Sequence, residues 1–531
     1  MSTVGSNRLE NLASVNEDQS SAALLVFSGL IAVAVASPLI WIVLRALQVD
    51  PGRAVSLVFS TRTAEILGTS LGLMAGVTVL SILIGVPLAV LTTRTDLPYR
   101  RLWTIVAALP LVIPSYIGAF AFVSAFGPRG ELSSVFSLGL PDVQNLPGAV
   151  LVITLYTYPY VFLTTRAALL SMDSSLVDAA RTLNADRLEA FRRVTLPQIR
   201  PAIAAGSLLV ALYAISDFGT PAFMQVTVFT SAIYWEFGAF NVEYAALLSL
   251  QLLAVTAVVL LIEAKVGRDE DASGGGASGA RIRLGKWKWP AMGGVATLGI
   301  VTLVVPVAIF GMWVVRGTGG DAPSYAFEWG YAINSVYLAA LAALIACILA
   351  LPVGYLSARS DSTLARLFER GTYVGFAVPG IVIGLALVFF GANYASWVYR
   401  TVPLLVFAYV VRFLPQAVGT TRTSVLQVDK KLPEAARTLN AGQIETFRRV
   451  TLPLIAPGVV AGGVLVFLTT MKELPATLML QPIGMETLVT LIWSAHGTAH
   501  YRYAALPALI LVLISGLSML VLLRQEDNDV N

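Results

Sequence analysis

From Ala22 to Leu44 no side chain carries a charge, and comparable apolar runs return along the whole 531-residue chain. A run of about 20 apolar residues crosses the hydrocarbon of a bilayer as a helix. Read between polar breaks, the sequence holds candidate spans near 22–45, 66–93, 102–126, 147–168, 199–218, 243–264, 290–315, 332–358, 371–392, 401–421, 455–475 and 502–523. Only 12% of residues are charged and the mean hydropathy is +0.77, against about 25% charged in ordinary globular chains. The chain is therefore read as an all-α polytopic membrane protein with about twelve transmembrane helices. Its polar start, Met1 to Ser21, lacks the basic opening and early apolar core of a cleaved signal. The one cysteine, Cys347, lies within an apolar run and is read as a packing residue.

Lys and Arg orient the spans. With the N-terminus in the cytoplasm, the inside segments carry 26 of them and the outside segments seven, while Arg412 and Lys472 fall within spans. The positive-inside rule then places both termini in the cytoplasm. Between spans six and seven, residues 267–289 form a Gly/Ser-rich cytoplasmic linker with a basic end. The expected organisation is an N-terminal tail (1–21), a first six-span domain (22–266), the linker, a second six-span domain (290–524) and a tail (525–531).

The two halves repeat. Asp178 to Pro197 reads DAARTLNADRLEAFRRVTLP, and 256 positions later Glu434 to Pro453 reads EAARTLNAGQIETFRRVTLP, identical at 15 of 20 positions. The same offset matches Thr164, Thr165 and Arg166 with Thr420, Thr421 and Arg422, and Gly206 with Gly462. An even number of spans per half keeps both copies in one orientation, so the repeat is parallel about an axis along the membrane normal. Each copy reads as two short helices: an acid in the first turn suits the dipole, Asn184 or Asn440 suits the left-handed turn between them, and Leu-Pro is expected to close the second. In that second helix Leu188, Phe191 and Val194, or Ile444, Phe447 and Val450, form one apolar stripe. A surface helix that only shields its own bundle would not require matching polar letters twice.

These segments resemble the EAA coupling loop of the permease subunits of binding-protein-dependent ATP-driven importers, with Asn184 and Asn440 where that pattern has Gly and Asp178 where it has Glu. The resemblance implies coupling loops over 174–197 and 429–453, with Asp178, Ala179, Ala180, Asn184, Phe191, Arg193, Pro197, Glu434, Ala435, Ala436, Asn440, Phe447, Arg449 and Pro453 as the ATPase-contacting residues. It also implies two ATPase subunits on the cytoplasmic side, an extracytoplasmic substrate-binding protein, and the cell membrane of a prokaryote as location. Flanking stretches, SDFGTPAFMQVTVFTSAIY and MKELPATLMLQPIGMETLVTLIW, look like the fused permeases of ferric-iron importers. Related permeases for thiamine and phosphonates share much of this layout.

The chain has no G-x-x-x-x-G-K-[ST] loop. It is thus not expected to be an enzyme or to bind a cofactor of its own, ATP and Mg²⁺ being held by the partner subunits, and no nucleic acid is expected among its partners. A secondary transporter can also have two parallel six-helix repeats, and a structural scaffold would move no solute; neither needs an ATPase. Asp217 and Glu473 share one place in the repeat, about 30 Å from the cytoplasmic face if helical throughout. A carboxylate at membrane depth is costly and marks a pathway ligand, a gate neutralised by Lys472 or Arg412, or the cap of a broken helix. His496 and His500, four apart, could face one metal if a helix carries both.

Overall fold

The computed structural model describes residues 3–126, 130–131, 141–173, 182, 186–266, 282–317, 327–360, 362–439, 441–498 and 500–529. Among them the structure is helical, with one isolated bridge between Thr95 and Ile282. Among the described residues nine helices are long and apolar enough to cross a membrane. Two more expected spans are bent pairs: Arg100–Val112 with Ser115–Ala125 at 91°, and Thr363–Ala377 with Gly380–Tyr394 at 100°. Each bend sits at a proline, Pro114 or Pro379, whose preceding residue is extended (ψ 124° at both Ile113 and Val378), because the ring excludes the α conformation from its neighbour. The twelfth expected span falls on the shorter apolar helix Tyr501–Leu517. Apolar side chains such as Val26, Leu30 and Val33 stand exposed along the first span, as lipid-facing residues do.

Prolines inside the long helices recur with the repeat, Pro159 with Pro415 and Pro201 with Pro457. Neighbouring helices tolerate them by re-satisfying the freed backbone groups.

The helices divide into two compact units that cut across the sequence halves. One gathers residues 1–45, 329–487 and 520–531. Its core is the packed trio Trp329–Arg359, Val402–Gln427 and Leu452–Met471. The first span of the chain lies against the bent pair of this unit, with Trp41 on Phe390 and Tyr394 at 4.8 and 5.0 Å between ring centroids. A Cβ on Gly462 would stand 2.3 Å from Thr420 Oγ1, so only glycine allows that helix crossing.

The other unit gathers residues 46–328 and 488–519. Its trio is Thr61–Arg94, Leu146–Ser171 and Leu196–Ser216. Here the seventh span lies against the bent pair, with Phe310 and Trp313 each 5.9 Å from the Phe120 ring. A Cβ on Gly206 would likewise stand 2.3 Å from Thr164 Oγ1. The repeated letters Thr164/Thr420 and Gly206/Gly462 are thus packing letters. Within each unit, then, the bent pair is covered by the opening span of the opposite sequence half.

The end of the linker is anchored rather than loose. Ile282 N–H donates to the Arg94 carbonyl at 2.8 Å, and Asp96 N–H donates to the Ile282 carbonyl at 3.1 Å. Asp96 then accepts from the Leu284 N–H at 2.8 Å and pairs with the Lys288 ammonium at 3.0 Å. Within the expected linker over 267–289, residues 282–289 at its basic end form a short clasp and the start of a helix. The physical reason is the backbone pairing beside an acid that meets the linker's own lysine.

Candidate functional site

In the first coupling segment Asp178, Ala179, Ala180 and Asn184 lie outside the described residues, as does Asn440 in the second. The helix Lys431–Thr438 leaves Glu434 and Ala435 exposed and Ala436 half-buried. Beyond it Leu439 and Ile444 are 85% and 84% exposed, too open for an apolar residue whose task is to shield its own bundle. Phe447 turns inward, its ring edge-on to Tyr355 at 5.7 Å.

The FRRVT letters fold identically in both copies. Phe191–Thr195 and Phe447–Thr451 are π-helical turns, closed by Leu196 N–H to the Phe191 carbonyl and Leu452 N–H to the Phe447 carbonyl. Glu189 pairs with Arg193 at 3.1 Å and Glu445 with Arg449 at 2.9 Å. Thr195 and Thr451 are buried, while Pro197 and Pro453 are exposed in the first turn of the following spans. The expectation that Leu-Pro closes the helix is corrected. Proline is at home in the first turn, where its missing N–H has no intrahelical partner to lose, and the widened π turn leads the chain straight into the membrane helix.

Two arginines that sequence reasoning missed brace these segments. Arg94 donates to the Leu169 carbonyl at 2.7 Å, and Arg359 donates to the Val428 carbonyl at 2.9 Å. Both carbonyls belong to the end of the span that leads into a coupling segment, where orphan acceptors and the negative end of the dipole attract a cation. Their signal is a second offset: Pro87 with Pro352 and Arg94 with Arg359 are each 265 apart.

The acids Asp217 and Glu473 do not lie late in a helix, as expected. Leu196–Ser216 and Leu452–Met471 end just before them, and short helices, Gly219–Phe223 and Pro475–Leu480, begin just after. At such a break a carboxylate meets free N–H groups and the positive end of the next dipole, which favours it. Asp217 Oδ1 accepts from the Gly219 N–H at 3.1 Å, and Glu473 Oε1 accepts from the Ala476 N–H at 3.3 Å.

Beyond this shared cap the two breaks differ. Asp217 Oδ2 accepts from the Ser115 hydroxyl at 2.9 Å, and that hydroxyl is 2.9 Å from the Tyr213 hydroxyl. Glu473 Oε2 instead pairs with Arg412 Nε at 3.2 Å, and Glu473 is only 5% exposed. The residue opening the bent helix is Ser115 in one unit and Gly380 in the other. A Cβ on Gly380 would come within 2.3 Å of both Arg412 Nη1 and Glu473 Oε1. Lys472 is half-buried at the end of the same helix.

The histidines do not share a helix face. Leu488–Gly497 ends before His500, whose N–H donates back to the Ala495 carbonyl at 2.8 Å. His496 packs edge-on against Phe223 at 4.3 Å. Among the described residues no group of three or more His, Cys, Asp and Glu side chains is placed to hold a metal. Cys347 is half-buried, its thiol 3.4 Å from the Val459 carbonyl.

The sequence model for the binding-protein-dependent transport system inner membrane component matches residues 81–269 and again 350–527. The Fe(3+)-transport system permease protein FbpB 2 of Haemophilus influenzae is 32% identical over 493 residues, 91% of this chain and 94% of that protein. The ferric transport system permease protein FbpB of Actinobacillus pleuropneumoniae is 22% identical over 87% of this chain and 71% of its own length. A probable molybdenum ABC transporter permease protein of Haloferax volcanii is 35% identical, over 27% of this chain.

Proposed function

This chain belongs to the family of binding-protein-dependent transport system inner membrane components, and from that premise we propose that it is the fused permease of an ATP-driven ferric-iron importer. Iron is favoured because the relative named for ferric transport corresponds along nearly the whole chain, whereas the molybdenum permease corresponds over a quarter of it. In this reading each repeat seats one ATPase subunit through its coupling segment, with both termini on the same cytoplasmic side. An extracytoplasmic binding protein delivers the cargo, and hydrolysis belongs to the partner subunits. The helix breaks at Asp217 and Glu473, one in each unit, are the pathway or gate candidates, with Arg412 and Lys472 as the cations beside Glu473.

The observation that carries the coupling role is the twinned FRRVT turn. It has the same π geometry and the same Glu–Arg pair in both repeats, and in the second it stands beside the exposed Leu439 and Ile444. Burying one such apolar side chain in a partner is worth about 1.5–3 kcal/mol. Ile444→Glu, or Glu434→Arg, in the membrane-inserted permease is expected to lower recovery of the ATPase by affinity capture by about tenfold or more. Undiminished recovery with both changes present would defeat the docking role. In proteoliposomes carrying the assembled transporter, ATP-dependent uptake of radioiron from its binding protein tests the cargo. Uptake of thiamine or a phosphonate in its place would redirect the substrate, and uptake without the ATPase would favour a gradient-driven carrier.

A further inference from the structure

We infer that the two helix breaks are chemically unequal: the first repeat holds an all-oxygen transit site for the ferric cargo, formed by Asp217, Ser115 and Tyr213, while the second holds a lock closed by Arg412 and Glu473. This rests on the importer reading above and divides the ligand role and the gate role between the repeats.

The repeat offset of 256 makes the comparison position by position. Tyr213 stands where the second repeat has Thr469, Tyr160 where it has Gln416, and Tyr156 where it has Arg412. In the first repeat the two tyrosine rings lie 6.4 Å apart, and Tyr213, Ser115 and Asp217 form a chain of hydroxyl, hydroxyl and carboxylate with both links at 2.9 Å. Tyr156, the counterpart of the arginine, is buried and donates to the Thr302 carbonyl at 3.1 Å. Among the described residues no cation pairs with Asp217. In the second repeat Thr469 donates to the Gln416 carbonyl oxygen at 3.3 Å, and the carboxylate is already neutralised by Arg412.

The donor chemistry fits a hard trivalent ion. Carboxylate, hydroxyl and phenolate oxygens suit hard cations, and tyrosinate is an established ligand for ferric iron. Asp217 and Tyr213 are mostly buried, each keeping a small exposed edge, and Ser115 is buried. A carboxylate facing hydrocarbon is costly, so the part of Asp217 that stays exposed is assigned to the pathway side rather than to lipid. Coordination replaces the Tyr213 O–H bond with an O–Fe bond and releases the phenolic proton to water, and the iron stays ferric throughout. A partial ligand set completed by water favours transit over storage, since conduction needs binding weak enough to leave.

The test uses the full permease with its ATPase subunits, in lipid nanodiscs with ferric citrate as probe for the spectrum and in proteoliposomes for radioiron uptake. Wild type is expected to develop a visible phenolate-to-ferric charge-transfer band. Tyr213→Phe and Asp217→Asn are each expected to lose most of it and to lower radioiron uptake at least 10–100-fold, the approximate cost of losing even an outer partner at a metal site. Stimulation of ATP hydrolysis by the loaded binding protein should persist in both, which also shows that they are folded; Ser115→Ala serves if either is not. Thr469→Val, at the matching place in the other repeat, is expected to keep the band and the uptake. A wild type that imports iron without any band, or a band that survives both substitutions, overturns the site and leaves the importer reading standing. A wild type that hydrolyses ATP for another solute and takes up no iron overturns both.

Discussion

Gly380 sits where the smallest possible side chain decides whether an ion pair can form. A methyl group there would come within 2.3 Å of Arg412 Nη1 and Glu473 Oε1, and a buried pair deprived of one partner costs about 3–5 kcal/mol. Gly380→Ala is therefore expected to weaken the lock, lower the thermal midpoint of the permease and raise ATP hydrolysis in the absence of binding protein. Unchanged basal hydrolysis in the inserted variant would show that the pair does not restrain the transport cycle. At this scale the acids were legible because Asp217 and Glu473 keep the 256-residue offset. Their partners were not. Ser115 and Gly380 are 265 positions apart, so no single register aligns the acids and the residues that meet them. A serine opposite a glycine also carries no periodic signal.

Elements show the same division between what a pattern specifies and what packing decides. The apolar runs located the long helices, since length and hydropathy are local properties. The bends at Pro114 and Pro379 and the π turns at Phe191 and Phe447 were missed, because proline is compatible with a kink, a first turn or a stop until its neighbours are known. The linker clasp is another case, for Gly/Ser composition speaks for the middle of that segment and not for its end. Leu284 N–H and then Lys288 hold the Asp96 carboxyl below the usual carboxylate range. A depressed carboxyl contributes stability above its free-chain pKa and loses it as pH falls through the lowered value. The clasp is therefore expected to stay closed at neutral pH and to open only in acid, whereas Asp96→Asn should loosen it at neutral pH. Hydrogen exchange at the Leu284 N–H, which donates to Asp96 in the closed clasp, would report the opening; protection indifferent to both acid and the substitution would count against it.

The whole molecule could not be read as two self-sufficient halves. Each compact unit takes its opening span from the opposite half of the sequence, with Trp41 on Phe390 in one and Phe310 on Phe120 in the other. A chain cut near Gly275, between Val266 and Ile282, should give two fragments that support uptake when co-expressed, because these reciprocal contacts and the Asp96–Lys288 clasp hold them together. Either fragment alone should be degraded, its bent pair uncovered. Accumulation of one fragment by itself, or inserted fragments that never restore uptake, would contradict this. The exchange also sets a timetable for biosynthesis. Trp41 leaves the ribosome 349 residues before Phe390, a wait on the order of 20–70 s at bacterial-to-eukaryotic elongation speeds. For that interval the first helix must idle among lipids or in the grip of the insertion machinery, so the nascent permease stays vulnerable to quality-control proteolysis until its ninth span has been made.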